Sequence, residues 1–362
     1  MSIAPTADHA EVDGGVRRRM RPLPRYLCRR ALTTVLTLWA LATLVFLMIR
    51  LIPGDPARVV AGENATPEQV AAAARRLGTD LPLPQQYLNF LGQVVRGDLG
   101  ESSATFRPVL TDVAAVLPST LELVVVAMLI NLAVSIPIGV WAAVRHGRAA
   151  DGVVRVGALM AGGVAPFWLA LMTQYYFSAK LGWLPISGQL SADYQVPSRT
   201  GVMTLDALLA GNFPAFLDAC VHLVLPAAVL ALHFAAQLVR TMRTSMLSIM
   251  AQDFIRVGRA KGVPEGRLIR RHALPNALVP VLSLAGLQVG AMISLGVLVE
   301  VVFARAGIGS YIATSVTDKD LAATLGAVLF VGAVIVLVNL VTDLLQLALD
   351  PKVRHRVLRA GR

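Results

Sequence analysis

The polar residues with the most informative spacing lie in a basic segment, residues 240–272, between two long apolar stretches. It carries the run D-F-I-R-V-G-R-A-K-G-V-P from Asp253 to Pro264 and eight Lys or Arg residues in all. A phosphate-binding P-loop needs a lysine directly after glycine, whereas the chain's four lysines follow Ala, Ala, Asp and Pro. The sequence also lacks a Cys/His metal cluster, a G-x-S-x-G elbow and an H-E-x-x-H helix. We therefore predict no catalytic residue, no cofactor site and no metal site, and a basic segment whose chemistry is recognition of a partner.

The spacing in this segment predicts two short helices joined by a tight turn. The first runs from about Gln252 to Lys261 and ends at Gly262, because glycine readily takes the left-handed conformation. The second begins with Pro264 at its first position. Its basic face, at three- and four-residue spacing, consists of Arg267, Arg270 and Arg271. Charge alone leaves two interpretations open: a hairpin that docks onto a soluble protein, or one that lies on anionic lipid headgroups.

The elements that must position this segment are membrane spans. Of the 362 residues, 56% are hydrophobic and only 15% are charged, which leaves too little polar surface for a water-soluble domain. Six stretches contain no Asp, Glu, Lys or Arg and have about the 20 residues needed to cross a bilayer core. They are residues 31–49, 123–144, 156–179, 219–239, 273–299 and 321–342. The predicted fold is an all-α membrane protein with six transmembrane helices.

The distribution of Lys and Arg predicts the orientation, because cytoplasmic loops collect these residues. Seven arginines lie in residues 17–30, three follow the second span, eight lie in residues 240–272 and five Lys or Arg follow Asp350. Both termini are therefore predicted to be cytoplasmic. The net charge of +11 then reflects topology and anionic lipid, so no nucleic-acid partner is needed. A cleaved secretory signal is disfavoured, because the first apolar stretch is too long and P-G-D-P at 53–56 offers no small-x-small cleavage site.

The predicted spans divide the chain into five parts. These are a cytoplasmic, disordered basic tail (1–25), the first transmembrane helix (26–52), an extracytoplasmic helical segment (53–117), a core of helices 2–6 that includes the loop 240–272 (118–350), and a cytoplasmic basic tail (351–362). In the extracytoplasmic segment, Thr66 and Pro67 predict a helix start, and Gly78 ends that helix. A second helix is predicted over residues 85–96. The outer loop 182–218, rich in Pro, Gly and Ser, is predicted to be irregular.

Polar side chains within or at the ends of the spans provide the candidate substrate path. Ser119 and Glu122 fit a capping box at the start of the second span, although Glu122 alternatively contacts the amino group of a passing substrate. The uncharged amides are predicted to form hydrogen bonds between helices; they are Asn131, Gln174, Gln237, Gln288 and Asn339. The candidate path residues are Glu122, Gln288 and Glu300.

The segment 253–275 resembles the EAA signature of ATP-binding-cassette (ABC) importer permeases. In that signature a small-residue pair is followed by a glycine four residues after its second member, and then by an I-x-L-P-like element. The corresponding residues here are Val257 and Gly258, Gly262, and His272-Ala273-Leu274-Pro275. Arg256 stands where the signature has Glu, and His272 where it has Ile; these departures match the dipeptide and oligopeptide permease branch.

Further elements along the chain resemble the same branch. They are L-I-P-G-D-P (51–56), Q-Y-L (86–88), R-G-D-L-G (96–100), L-P-S-T-L-E-L (117–123), G-W-L-P-I-S-G (182–188) and E-V-V-F-A-R-A-G-I-G (300–309). The likeness runs from about Tyr26 to Pro351, and its pieces occur in an order that matches the predicted topology. Their joint specificity is therefore high, although each piece is short.

The resemblance implies a type I ABC importer permease in a bacterial inner membrane, carrying di- or oligopeptides through a path of which it forms half. The partners it implies are a second homologous permease subunit, two cytoplasmic ATPase subunits that bind ATP and Mg, and an extracytoplasmic substrate-binding protein. The segment 253–275, here named the coupling loop, would contact an ATPase. Its expected contact residues are Asp253, Arg256, Val257, Gly258, Arg259, Ala260, Lys261, Gly262, Pro264, Arg267, His272, Leu274 and Pro275.

Three other functions stay open at this point. Nickel permeases of the same branch are similar in sequence, so nickel or a nickel chelate is the alternative cargo. A stand-alone channel or proton-coupled carrier is a different class, but no internal repeat typical of carriers is evident, and the best buried-acid candidate, Asp343, is predicted near the cytoplasmic end of the sixth span. A structural scaffold without transport is the weakest alternative.

Overall fold

A computed structural model describes residues 22–51, 65–77 and 80–349. Most of the predicted tail 1–25, nearly all of the L-I-P-G-D-P element and the tail 351–362 lie outside these residues. The described elements are α1 (Pro22–Leu51), α2 (Pro67–Leu77), α3 (Leu83–Val95), α4 (Val109–Val144), α5 (Ala149–Gly163), α6 (Pro166–Thr173), α7 (Met203–Leu209), α8 (Phe213–Met250), α9 (Asp253–Ala260), α10 (Glu265–Arg267), α11 (Leu274–Val302), α12 (Ile308–Thr317) and α13 (Leu321–Leu349). Two π-helical turns, Gln174–Lys180 and Leu268–Ala273, continue α6 and α10. In the described part of the chain the prediction of an all-α membrane protein is confirmed.

Five stretches among the described residues are continuous helix, long and apolar enough to cross a membrane: α1, α4, α8, the arm formed by α10 and α11, and α13. The third predicted span, residues 156–179, differs from the expected continuous helix. It consists of α5 and α6, separated by extended backbone at Val164 and Ala165. Proline disfavours helical geometry in the residue before it, so Ala165 breaks the helix ahead of Pro166. The fold thus has five continuous spans and one broken span.

Helix α8 lies at the centre of the bundle, where it packs against α4, α5, α6, α7 and α11. The approach of α8 to α4 is close: a Cβ added to Gly139 would lie 2.6 Å from the Cβ of Met242. Small residues at a helix contact let two backbones approach, which is the usual basis of packing in membranes. One buried cluster, including Leu123, Leu230 and Phe303, fills the half of the bundle that is predicted to be outer, and a second fills the half that is predicted to be inner.

The extracytoplasmic segment confirms the predicted start of α2. The Thr66 amide donates to Gln69 Oε1 (2.9 Å), and the Gln69 amide donates to Thr66 Oγ1 (3.4 Å), so each residue caps the other. Helix α3 covers Leu83–Val95, close to the predicted 85–96. Its Tyr87 and Phe90 rings pack against Phe46 of α1, at centroid distances of 5.3 and 5.6 Å. The segment is therefore held against the first span by aromatic contacts.

The outer loop 182–218 is more ordered than predicted. It contains α7, and the Asp206 carboxylate in that helix accepts hydrogen bonds from the backbone of Arg199, Thr200 and Gly201. Its last part belongs to α8, which is capped by the Asn212 side chain accepting from the Ala215 amide at 3.1 Å. The prediction of an irregular loop was wrong here. It rested on the Pro and Gly content, which does not indicate that a single carboxylate accepts hydrogen bonds from several backbone amides and so orders the loop.

Helix α4 begins ten residues before the predicted capping box. Its N-cap is Pro108, and Asp112 lies in its first turn near the positive end of the helix dipole. Ser119 and Glu122 are therefore interior positions, and the capping-box prediction is wrong. The pattern S-x-x-E marks a helix start only where the preceding residues are not helical, and here Pro118 is accommodated inside the helix.

Candidate functional site

The coupling loop has the predicted first helix and turn. Helix α9 covers Asp253–Ala260, within the predicted 252–261, and Gly262 follows with φ +73°, in the left-handed region that favours glycine. Pro264 precedes α10 as its N-cap instead of occupying its first position. The second helix is not a separate element: after α10 and its π turn the chain runs into α11 without a break. The arm that carries the basic face therefore continues directly into a membrane span.

Contacts across the turn hold the two parts of the coupling loop together. The Arg259 guanidinium donates to both carboxylate oxygens of Glu265, at 2.6 and 3.1 Å. Gly258 lies against Leu268, since a Cβ at position 258 would be 2.6 Å from Leu268 Cδ2. Ile255 and Leu268 are buried, at 1% and 3% exposed. The loop therefore behaves as one packed unit and not as two independent helices.

The same loop is packed onto the membrane helices. Ile255 belongs to the inner buried cluster with Met242 and Met246 of α8 and Val281 of α11. Ser245 Oγ of α8 also donates to the Ala277 carbonyl of α11 at 3.0 Å. A force applied to α9 is therefore transmitted to α8 and α11 through side-chain contacts.

The outward face of the loop combines two exposed apolar side chains with positive charge. Phe254 is 44% exposed and Val257 is 52% exposed, and their three-residue spacing puts them on the same side of α9. The exposed residues around them include Arg256, Lys261, Arg267, Arg270, Arg271 and His272. Exposed apolar side chains rimmed by polar ones mark protein interaction surfaces, and aromatic and Arg residues contribute most at such surfaces. We name Phe254 and Val257 the docking pair.

Of the docking pair, only Val257 is among the contact residues expected from the sequence; Phe254 is not. In the run D-F-I-R-V-G the letters Phe254 and Ile255 are adjacent and equally apolar, and only packing decides which one is buried. The usable signal was the spacing: Phe254 shares a face with Val257, whereas Ile255 lies on the opposite side with Leu268.

Two of the three candidate path residues lie in a buried ionic cluster at the outer ends of the spans. The Arg305 guanidinium donates to Glu122 Oε2 at 3.0 Å, and Glu122 Oε1 accepts from the Thr204 hydroxyl at 2.5 Å. Glu300 Oε2 accepts from the Gly309 amide at 2.7 Å, in the first turn of α12. Glu300 is 0% and Arg305 1% exposed. We name Glu122, Glu300 and Arg305 the outer ionic cluster; it joins α4, α11 and α12.

The arrangement of this cluster explains part of the E-V-V-F-A-R-A-G-I-G element. A Cβ at Gly307 would collide with the Glu300 carboxylate, and one at Gly309 would collide with the Val297 backbone. Both glycines are therefore needed for the chain to turn back over the end of α11. Arg305 was not among the sequence-derived site residues, although it stands in an element that carried the family resemblance.

The third candidate, Gln288, lies in a chain of hydrogen bonds at the middle of the bundle. Asn131 Nδ2 of α4 donates to Gln288 Oε1 at 3.1 Å, and Gln288 Nε2 donates to Gln237 Oε1 of α8 at 3.3 Å. Ser135 Oγ donates to Asn131 Oδ1 at 2.9 Å. The predicted interhelical hydrogen bonding of Asn131, Gln237 and Gln288 is confirmed. We name Ser135, Asn131, Gln288 and Gln237 the amide chain.

Two carboxylates outside the spans, Asp320 and Asp206, hold loops in place by accepting hydrogen bonds from them. Asp320, between α12 and α13, accepts from Ser102 Oγ (2.7 Å) and from the amides of Ala104 (3.2 Å) and Ala323 (3.0 Å). Burial acts to raise the pKa of Asp320, but these hydrogen bonds outweigh it and hold the pKa below its ordinary value of 3.8. The same balance, with Thr200 as the principal donor, lowers the pKa of Asp206.

Two family profiles together match most of the chain. The profile described as "Binding-protein-dependent transport system inner membrane component" matches residues 135–355, and its N-terminal counterpart matches residues 23–124. The chain is 39% identical over 332 residues to a di/tripeptide transport system permease protein of Pseudomonas aeruginosa (strain UCBPP-PA14), covering 91% of this chain and 99% of that protein. It is 39% identical to a probable D,D-dipeptide transport system permease protein of Escherichia coli (strain K12), over 90% of this chain and 96% of that protein. A dipeptide transport system permease protein of the same strain is 38% identical, over 92% and 99%.

Proposed function

We propose that this chain, which belongs to the family of binding-protein-dependent transport system inner membrane components, forms half of the translocation path for di- or oligopeptides in an ABC importer. As a permease subunit it is a multi-pass membrane transport component and not an enzyme. The three relatives reported above are named as permeases for di- and tripeptides, D,D-dipeptides and dipeptides, which favours peptides over nickel as cargo. Family membership likewise disfavours a stand-alone channel or a scaffold.

The observation that carries the proposal is the coupling loop. It offers the docking pair and a basic rim to a soluble partner, while Ile255 on its inner side is buried with Met242, Met246 and Val281 of α8 and α11. A surface of this kind suits a groove on a cytoplasmic ATPase subunit. To the docked face we assign Phe254 and the exposed residues predicted for it between Asp253 and Pro275; two predicted residues, Gly258 and Leu274, instead pack against Leu268 and the inner buried cluster.

In the proposed mechanism the ATPase subunits bind ATP and Mg and supply the work. When they close on ATP, they move the coupling loop as a rigid body, and α8 and α11 tilt with it between inward-open and outward-open states. The bond between Arg259 and Glu265 and the contact of Gly258 with Leu268 keep the loop from absorbing that motion internally. The proposed assembly is a heterodimer with a second homologous permease, two ATPase subunits and an extracytoplasmic substrate-binding protein.

This assembly also sets the topology. If the coupling loop meets a cytoplasmic ATPase, the two ends of the chain also face the cytoplasm, because an even number of spans lies between the loop and each end. The end of the bundle that contains the outer ionic cluster, together with α3 and the loop held by Asp206, then lies on the side of the substrate-binding protein. We propose the inner membrane of a bacterium as the location.

The experiment replaces Gly262 with Glu and uses Gly147 as the matched control. Both glycines are exposed, both have positive φ (+73° and +78°), and a Cβ on either would meet no atom within 4 Å. The Gly262→Glu and Gly147→Glu variants therefore carry the same backbone strain and the same added charge. We expect the Gly262 variant to remain in the membrane, to lose uptake of a labelled dipeptide and to lose stimulation of ATP hydrolysis by the loaded binding protein.

The Gly147 variant should keep both activities, because position 147 lies outside the proposed contact. Normal uptake by the Gly262 variant would refute the assignment of the loop. Uptake of labelled nickel but not of dipeptide by the unmodified complex would instead select the alternative cargo.

A further inference from the structure

The side chains that α8 exposes change in character along its length. In its outer half the exposed large side chains are apolar: Leu217, Val221, Val224 and Leu232. In its inner half the exposed or half-exposed residues at helical spacing are polar: Gln237, Arg240, Thr241, Thr244 and Ser248. We name this second set the inner polar face. A polar stripe on a spanning helix is costly against lipid, so it marks a side that meets water, a substrate or another subunit.

The upper end of the inner polar face lies level with the middle of α11. Gln237 contacts Gln288, which is the central residue of α11, and the neighbouring Ala235 carbonyl accepts a bond from Ser135 of α4 at 3.5 Å. A position beside the middle of a spanning helix argues against the explanation that Gln237 is polar because it lies in the cytoplasm.

The amide chain has a direction that ends at Gln237. Each oxygen in it accepts from the previous member: Asn131 from Ser135, Gln288 from Asn131, and Gln237 from Gln288. Gln288 is additionally fixed by donating to the Phe234 carbonyl at 3.3 Å. Asn131 and Gln288 are 0% and 3% exposed, whereas Gln237 is exposed. Since Gln237 Oε1 is engaged, the chain orients its Nε2 group, which has no hydrogen-bond partner among the described residues.

We propose that Gln237 is a substrate-contacting residue whose Nε2–H donates to a backbone carbonyl of the passing peptide, with Gln288 and Asn131 as positioning residues. This inference rests on the proposed function and names a contact within the path. A neutral amide recognises what all peptides share and is indifferent to the charge of their side chains. Gln288, a candidate path residue from the sequence, thereby acts through Gln237.

The surface below Gln237 supports the same occupant. An open groove of about 380 Å³ lies at the inner end of α8 and α11, lined by Thr241, Thr244, Ser245, Ser248, Ile249, Gln252, Asn276 and Pro280. Its size falls within the roughly 300–1,000 Å³ of small-molecule sites. Hydroxyl and amide groups predominate and no charged side chain lines it, as suits a route for peptides of varied sequence.

The first test measures uptake of a labelled dipeptide by the reconstituted complex with its ATPases and binding protein. We expect Gln237→Leu to lower uptake per assembled complex by roughly 2- to 10-fold, the effect of one hydrogen bond. Gln288→Leu should lower it similarly, and the double variant should be no worse than either single one. The matched control is Gln174→Leu: Gln174 Nε2 bonds the Ile186 and Val302 carbonyls away from this face, so uptake should be kept.

A second substrate tests the contribution of the peptide carbonyl that is proposed to accept the hydrogen bond from Gln237. An alkene isostere of the dipeptide lacks the peptide oxygen, so the unmodified complex should transport it less well than the dipeptide. We compare the ratio of dipeptide uptake to isostere uptake in the two complexes. Gln237→Leu should lower this ratio by the same factor by which it lowers dipeptide uptake. Selection by the binding protein does not affect the comparison, because the same binding protein serves both complexes. An unchanged ratio would overturn the inference while leaving the proposed function intact. Absence of dipeptide uptake by the unmodified complex would overturn both.

Accessibility provides a test that does not depend on rate. In a chain whose two free cysteines, Cys28 and Cys220, are replaced, Gln237→Cys should react with a membrane-impermeant thiol reagent and be protected by transported peptide. Failure to react in every nucleotide state would place position 237 against lipid or the second permease, and would overturn the inference.

Discussion

Helices α1 and α8 both cross the membrane, yet they expose opposite chemistry. In α1 the exposed large side chains are apolar, including Leu32, Leu36, Trp39, Leu44 and Leu47, and the exposed threonines Thr33 and Thr37 donate their hydroxyls to carbonyls of the same helix. In α8 the inner half exposes the inner polar face. Of an 18-residue apolar stretch in each helix, only 17% of the residues are buried in the protein in α1, whereas 56% are buried in α8. A peripheral helix is solvated by lipid, whereas a central helix can afford an exposed polar stripe only if that stripe faces something other than lipid.

The outer ionic cluster sharpens this comparison, because its charges are buried inside the protein. Arg305→Leu would leave Glu122 buried without its cation, and breaking a buried pair in this way typically costs about 3–5 kcal/mol. We expect severe loss of folded protein, measured as the fraction surviving detergent extraction and size-exclusion chromatography. The double variant Arg305→Leu with Glu122→Leu should recover part of that loss. If the single variant were as stable as the unmodified protein, the cluster would be accessible to water and our description of it would fail.

The comparison of α1 with α8 is tested by placing the same charge on the exposed surface of each helix. Leu36→Asp puts a carboxylate on the lipid-facing side of α1, at a cost of about 2.5–3.5 kcal/mol near a helix centre. Gln237→Asp puts it on the inner polar face and should cost far less. The measurement is the amount of protein in the membrane fraction and its resistance to protease. Equal losses for the two variants would mean that α8 also faces lipid at position 237.

The opposite side of α8 is a packed seam and should respond to volume instead of charge. Gly139→Leu inserts a side chain between α4 and α8, where Met242 leaves no room, and overpacking of this kind costs typically 1–3 kcal/mol. Gly163→Leu is the control, since a Cβ there would meet no atom within 4 Å. We expect a lower midpoint of thermal unfolding in detergent for the Gly139 variant alone.

Outside the membrane, buried carboxylates are stabilised by hydrogen bonds and so give a pH dependence. The folded pKa of Asp320 lies below its ordinary 3.8, so its contribution is fully present above about pH 3.8 and is lost as the pH falls through the folded value. Asp320→Asn removes that dependence. Between pH 6 and pH 3 the unmodified protein should therefore lose more thermal stability than the variant, by a margin of about one or two hydrogen bonds at ~0.5–1.5 kcal/mol each. Parallel pH profiles for the two proteins would contradict this role of Asp320.

Sequence periodicity and charge predicted the class, five spans and the first helix of the coupling loop, because each of these depends on local composition. The break in the third span also follows from a local rule, because Pro166 disfavours helical geometry at Ala165. The prediction of a continuous helix gave more weight to the long apolar run than to this proline. The capping box at Ser119 failed because the same letters occur inside a helix that had begun at Val109.

What the sequence could not provide is the assignment of faces. Phe254 and Ile255 are adjacent and similar, and Gln237 and Gln288 are identical in type, yet one of each pair is exposed and the other buried. That difference arises from the packing of α8 between α4 and α11, which links residues more than fifty positions apart. The partner of Glu122 is even more distant along the chain, at Arg305.

The most direct test of the account replaces Phe254 with a photoreactive amino acid in the complete complex, in its own membrane. Phe254 is chosen because it is 44% exposed and lies beside Val257 on the outward side of α9. We expect irradiation to give a covalent adduct with a cytoplasmic ATPase subunit, whereas the same amino acid at Leu36 on α1 should give adducts with lipid. Adducts with phospholipid alone at position 254 would contradict the docking of the coupling loop and, with it, the proposed route from ATP hydrolysis to transport.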